Sequence, residues 1–298
     1  MPTSLTRLSD DRLAPLLGSY AEAMRTARLR TLGGAAILAV VVVAAAWFAE
    51  VDLVKMVSRI GTFGDYVGRI FVFDNGENVG RFVLTAPGEW MWGLVHWGKL
   101  ILETLLIAYS GTFTGAVAGF FLAFLAARNL GRHPWLRASV KRFLEFCRTV
   151  PELVFALIFV IAFGLGAMPG VLAIAIHTTG ALGKMFSEVV ENIDMKPVEG
   201  TTAAGGSWWQ TVRFAAVPQV LSNFASYTLL RFEINVRGAS VMGFVGAGGI
   251  GQDLIEAIRK FYYADVSAIL ALIIATVMVI DLLTERLRHR LIGREARA

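Results

Sequence analysis

The chain is poor in charge and almost without cysteine. Only 17% of its 298 residues are Asp, Glu, Lys or Arg, well under the roughly one quarter usual in soluble domains. The single cysteine, Cys147, excludes an internal disulfide and any thiolate metal cluster. The histidines, His96, His133, His177 and His289, are scattered and form no H-E-x-x-H pair, so no zinc-ligand spacing is present. There is no G-x-x-x-x-G-K-[ST] loop; the nearest approach ends in Gly183-Lys184-Met185, without the hydroxyl that would hold magnesium. The chain is therefore expected not to hydrolyse ATP. A G-x-S-x-G elbow is also missing, which leaves an intramembrane hydrolase without support.

Apolar residues fill that space. The chain is 56% hydrophobic with a mean hydropathy of +0.61, so a bilayer is its expected solvent. The net charge of +5 and pI of 9.6 suit nucleic acid only if the basic residues form a patch, and here they cluster at the ends of apolar runs, as membrane orientation requires. No nucleic-acid partner is expected. Runs long enough to cross a bilayer, about 20 residues, cover Leu32–Phe48, Leu100–Ala127, Val150–Met168, Val171–Val190, a stretch from Pro218 towards Gly243, and Val266–Leu283. A cleaved secretory signal is the other reading of the first run, with Ala44 and Ala46 as small residues, but the 31 residues before it are long for a signal.

Lysine and arginine collect in three places: Arg7, Arg12, Arg25, Arg28 and Arg30 before the first run; Arg128, Arg132, Arg137, Lys141, Arg142 and Arg148 after the second; and Arg286, Arg288, Arg290, Arg294 and Arg297 at the end. Residues 49–99 dilute their basic residues with Glu50, Asp52, Asp65, Asp74, Glu77 and Glu89. The positive-inside rule makes the three basic regions cytoplasmic and 49–99 external. The expected organisation is a cytoplasmic segment 1–31, a first span 32–48, an external segment 49–99, a core 100–285 with a cytoplasmic loop 191–218, and a basic tail 286–298.

In the external segment, Leu53, Val57, Ile60, Phe63, Val67 and Ile70 recur at helical spacing, which predicts a helix along the membrane surface. Trp90, Trp92 and Trp97 fit either an interfacial aromatic belt or packing on a neighbouring helix. Gly111, Gly115 and Gly119 form a stripe for close helix packing. Gly246-Ala247-Gly248-Gly249-Ile250-Gly251 matches G-x-G-x-x-G, but with a span in front rather than a strand it reads as a flexible or tightly packed external bend at Gly246, Gly248, Gly249 and Gly251, not a dinucleotide site.

The most informative stretch is Glu199-Gly200-Thr201-Thr202-Ala203-Ala204-Gly205, with Ala215 and Val217-Pro218 following. It resembles the cytoplasmic signature loop of ABC importer permeases, with Gly200 and Thr201 where alanines are usual and Val217 for leucine. Its physical reading is a helical turn, a chain reversal at Gly205, a second amphipathic piece at Trp208, Trp209, Val212 and Phe214, and Pro218 in the first turn of the next helix. Arg148-Thr149-Val150-Pro151-Glu152-Leu153, Arg231-Phe232-Glu233-Ile234-Asn235-Val236-Arg237-Gly238-Ala239-Ser240 and the run from Gly243 to Gly251 resemble phosphonate-type permeases in particular, over residues 97–290.

The resemblance implies an all-α integral membrane protein of about six transmembrane helices with the type I importer permease fold. It implies a multi-pass protein of the bacterial cell membrane, and the charge distribution puts both termini inside. A second copy of the chain, two copies of an ATP-binding subunit that holds the ATP and magnesium, and an external substrate-binding protein are its implied partners. Glu199, Gly200, Thr201, Gly205 and Pro218 would couple it to the ATPase. The cargo would be a phosphonate, phosphite, phosphate or phosphate ester. Methionine-type permeases share the loop and the glycine run, with about five spans, and a stand-alone secondary transporter is the reading from another class.

Arg231, Glu233 and Arg237 lie ~20 to 28 Å along a helix from Pro218. Charge at that depth faces a pathway or a partner. Glu233 and Arg237 are four apart and can pair, so a structural salt bridge and a substrate route both stand. His177, with Thr178 and Thr179, lies mid-span and either lines the same route or makes an interhelical hydrogen bond.

Overall fold

A computed structural model describes residues 10–74, 76–131 and 133–295. Arg7, Arg132 and Arg297 lie outside the described residues, as do the side chains of Arg12 and Arg294. The described chain is helical, with one isolated bridge between Val72 and Phe82. It divides into two compact units, one up to Asp65 and one from Tyr66.

The first unit holds α1 (Asp10–Phe48) and α2 (Leu53–Ser58), and α3 (Ile60–Ile70) straddles the division. Helix α1 starts well before the apolar run, and its Gly18–Phe48 portion is long and apolar enough to cross a membrane. The expected surface helix is two pieces, because Arg59 leaves helical geometry as the cap of α2. Asp52 caps α2 by accepting from Lys55 N at 2.8 Å. Leu53, Val57, Ile60 and Phe63 are all exposed, as an apolar face meant for lipid would be.

After the end of α3 the second unit runs through a loop to the short α4 (Pro87–Trp90), followed by α5 (Leu94–Ala126), α6 (Pro134–Thr149), α7 (Glu152–Phe163) and α8 (Ala167–Glu191). Pro134 begins α6 in its first turn. Pro151 ends α6, since the residue before a proline is driven out of helical geometry, and Val150 is extended. The chain turns by 86° there. The expected third span, Val150–Met168, is corrected by this break and by a second one: Gly164 and Gly166 take positive φ and stop α7 after 12 residues, about 18 Å and too short to cross alone. Only α6 and α7 together meet the length and composition of a span.

The chain continues through α9 (Met195–Ala203), α10 (Trp208–Thr211), α11 (Val217–Met242), α12 (Gly251–Arg259) and α13 (Tyr263–Glu295). By length and composition α5 and α13 can each cross a membrane. Helices α8 and α11 are 25 and 26 residues long but carry charge along their runs.

Because lipid is as apolar as leucine, these helices are held by close packing and interhelical hydrogen bonds. The glycine stripe of α5 is the centre of that packing. A Cβ added at Gly111 would lie 2.6 Å from Ile174 Cγ2, at Gly115 2.7 Å from Thr178 Cβ, and at Gly119 3.0 Å from Gly183 N, so α5 and α8 touch nearly backbone to backbone. Beside this seam, Asn235 of α11 is fully buried and donates to Thr112 Oγ1 at 2.7 Å and Thr178 Oγ1 at 2.9 Å. Phe186 and Phe224 stack with ring centroids 3.9 Å apart, a pair worth about 1 kcal/mol beyond its buried area. The tryptophans settle largely as packing: Trp97 is buried and Trp90 Nε1 donates to Ser267 Oγ at 2.9 Å. Trp92 stays exposed and donates to Asp265.

Candidate functional site

The signature loop folds as an elbow. Asp194 caps α9, its side chain accepting from Lys196 N at 3.0 Å, and Thr201 and Thr202 bond back to the carbonyls of Pro197 and Val198. The helix ends in bonds from Ala204 N to Gly200 O and from Gly206 N to Thr201 O, both 3.0 Å. Gly205 has φ +82°, the left-handed geometry that glycine adopts freely. Ser207 and Gln210 then form a capping box that starts α10, and Pro218 stands in the first turn of α11.

One face of the elbow is fixed to the core. Val198, Val212, Ala215 and Ala216 are buried with Phe124, Leu182 and Phe186, and Trp208 Nε1 donates to Leu130 O at 2.8 Å. Gln219 clamps its base, donating to Ala215 O and accepting from Asp194 N. The expected amphipathic piece is divided differently than its sequence suggested: Trp208 and Val212 turn inward, while Trp209 and Phe214 are exposed. With Glu199 and Gly200, also exposed, they give the elbow an outer face that is partly apolar and unpartnered among the described residues. Thr201 is half-buried and Pro218 exposed.

The glycine run makes a tight bend at the other end of α11. Gly246, Gly248 and Gly249 have φ near +80°, and Ile250 N donates to Thr104 Oγ1 of α5 at 2.9 Å. A Cβ at Gly249 would stand 2.5 Å from that oxygen, and one at Gly251 2.2 Å from Ser240 O. Of the two readings, flexible or tightly packed, the second describes it.

The charges of α11 form two clusters. Residues 231 and 237 are six apart, so their side chains leave α11 about 120° apart. Arg231 hydrogen-bonds His177 Nδ1, and Glu152 Oε2 stands 4.0 Å from Arg231 Nη2 and 3.9 Å from His177 Nδ1. Arg237 donates to Glu233 at 2.5 Å, the expected pair, and also to Asp281 of α13 at 2.9 Å. Thr284 is 3.5 Å from Glu233. Sequence reading missed Glu152 and Asp281 as partners. Their only signal was a carboxylate within or beside an apolar run, which names no mate. Thr178 joins the buried bond to Asn235, and Thr179 bonds back to Ala175 O.

Residues 115–296 match the family described as the binding-protein-dependent transport system inner membrane component. Among curated relatives, the phosphite transport system permease protein PtxC of Stutzerimonas stutzeri is 40% identical over 210 residues, 69% of this chain and 76% of that protein. The phosphate-import permease protein PhnE of Mycolicibacterium smegmatis is 41% identical over 195 residues, 65% of this chain but only 37% of that protein. Among solved structures, an inward-facing MetNI methionine ABC transporter aligns with a TM-score of 0.58 at 21% identity, over 68% of this chain and 98% of that one. That likeness shows a shared fold, the all-helical arrangement of type I importer permeases. The chain therefore belongs to the binding-protein-dependent transport system inner membrane components, as a multi-pass ABC importer permease of the phosphonate type.

Proposed function

We propose that the chain is the membrane subunit of an ATP-driven importer for a small phosphorus oxyanion, taken into the cell by alternating access. Two copies enclose the pathway, two copies of an ATPase bind inside, and a binding protein delivers substrate outside. The observation that carries the coupling role is the elbow: Glu199, Gly200, Thr201, Gly205 and Pro218 sit on a knob packed against the core on one face and exposed on the other. A rigid knob transmits displacement, whereas a mobile loop would absorb it. ATP drives the cycle only if the ATPase binds the two conformations with different affinity. Arg231 supplies fixed donors along the route, its guanidinium held in place by His177 Nδ1, which accepts from it, and a guanidinium suits a phosphonate because it can hold two oxygens at once. Glu233 and Arg237 hold α11 against α13.

The relatives named for phosphite and phosphate favour phosphorus over methionine as cargo. Proteoliposomes carrying the chain with its ATPase and binding protein are expected to accumulate phosphite or methylphosphonate only when ATP is supplied. Accumulation without the ATPase would mean a secondary transporter, and preference for methionine would reassign the cargo.

The charge asymmetry supports an external 49–99 segment and cytoplasmic termini. Asn75 lies outside the described residues, so single cysteines are better placed at the exposed Glu77 and at Arg142, whose side chain is 83% exposed, in a Cys147→Ser background. An impermeant thiol reagent is expected to label Glu77→Cys from outside and Arg142→Cys only after permeabilisation. The opposite pattern would invert the topology.

A further inference from the structure

The break at Val150–Pro151 has a consequence for Arg231. By ending α6 and turning the chain 86°, it puts Glu152, the first residue of α7, against both α8 and α11. A guanidinium inside a membrane protein needs a compensating anion, and Glu152 is the carboxylate nearest Arg231. Yet the contact is looser than a charge-assisted hydrogen bond, whose nitrogen and oxygen lie about 2.8 Å apart, as Arg237 and Asp281 do at 2.9 Å. Oε2 stays 3.9–4.0 Å from His177 and Arg231. Glu152 Oε1 and Arg231 Nε are buried with no hydrogen-bond partner among the described residues. Across from Oε1 is Gly238, where even an added Cβ would approach only to 3.5 Å, so no side chain at that position holds the carboxylate. Buried polar groups are nearly always paired. Two unpartnered polar atoms on neighbouring side chains of opposite charge, which remain 14% and 17% exposed, mark a site whose hydrogen bonds are completed by something else.

We propose that Glu152 is an internal counter-ion standing where the substrate oxyanion binds, neutralising Arg231 in the empty permease and displaced when a phosphonate or phosphite group takes Arg231 beside His177. This rests on the assignment of Arg231 and His177 to the route. The oxyanion brings three acceptor oxygens, enough to satisfy Arg231 Nε and Nη together. Displaced Glu152 can move without breaking a hydrogen bond, because it makes none.

The competition is measurable. In nanodiscs holding the full permease with its ATPase and no binding protein, methylphosphonate affinity is read by phosphorus NMR titration, with sulfate as a second anion. Glu152→Gln removes the competitor and is expected to tighten methylphosphonate binding about tenfold, a ~1.4 kcal/mol change, while slowing turnover because the empty state loses its counter-ion. Arg231→Gln is expected to abolish binding, and adding Glu152→Gln to it is expected not to restore it. Glu152→Asp, which keeps the charge on a shorter arm, is expected to fall between wild type and Glu152→Gln, and it carries the test if the glutamine variant does not assemble. Unchanged or weaker binding in Glu152→Gln, or recovery in the double variant, would overturn the counter-ion role and leave an ordinary structural pair. If wild type itself binds no methylphosphonate and Arg231→Gln transports normally, the route assignment falls and the counter-ion with it.

Discussion

Gly205→Val should insert normally into the membrane and lose its coupling. At φ +82° a β-branched residue is strained by roughly 1–3 kcal/mol, and the elbow between α9 and α10 is too short to spread that strain. Space is not the obstacle: beyond its two chain neighbours, no heavy atom of the described residues lies within 4 Å of a Cβ added there. The cost is purely conformational, so Gly205→Asn, a side chain that tolerates left-handed geometry, should keep most of the activity. Substrate-stimulated ATPase activity in the reconstituted complex is expected to fall about tenfold or more for valine, the effect of a ~1.4 kcal/mol or larger bias against the docked knob. Normal stimulated activity in Gly205→Val would reject the coupling role of the loop.

The second large effect is expected at Gly251, where the cause is steric. An added Cβ would stand 2.2 Å from Ser240 O and 3.0 Å from Gly243 Cα. Both are backbone atoms, so no rotamer change relieves the overlap, and α12 must move off the end of α11. Overpacking of this kind costs about 1–3 kcal/mol or more, and the displacement would break the bond from Ile250 N to Thr104 Oγ1. Gly251→Ala is expected to lower the yield of monodisperse protein and its melting temperature, read by fluorescence-detected size exclusion after a heating series. Gly200→Ala is the matched control. Gly200 is helical, with nothing within 4 Å of an added Cβ, and alanine there should be neutral or stabilise by up to ~1 kcal/mol. Equal melting of Gly251→Ala and wild type would mean the bend is looser than its geometry.

The two glycines show what a sequence can and cannot disclose. Gly205 was legible as a chain reversal because its neighbours, a helical turn before it and the amphipathic piece from Trp208 after it, are local. That Gly251 tolerates no Cβ was not legible, because the atom it would strike belongs to Ser240, across a bend whose course depends on Thr104 of α5. The third span was misjudged for a related reason. An apolar run gives total length but not continuity, and Pro151, Gly164 and Gly166 cut this one into a short helix and two breaks. Likewise, Glu233 and Arg237 could be paired from their four-residue spacing, while Asp281 could not be added to them.

Solvent, helical content and the elbow's spacing were determined by the sequence itself, since each depends on contiguous residues: the length of an apolar run against the thickness of a bilayer, the conformational freedom of a glycine, the reach of a capping side chain. Tertiary structure alone decided that Glu152, His177 and Arg231 meet, that Arg237 has two carboxylates, and that α5 and α8 touch through glycine. Those outcomes require two or three helices at a fixed rotation and height, and such an arrangement comes from packing and hydrogen bonds between helices, because lipid exerts no preference of its own among their apolar faces.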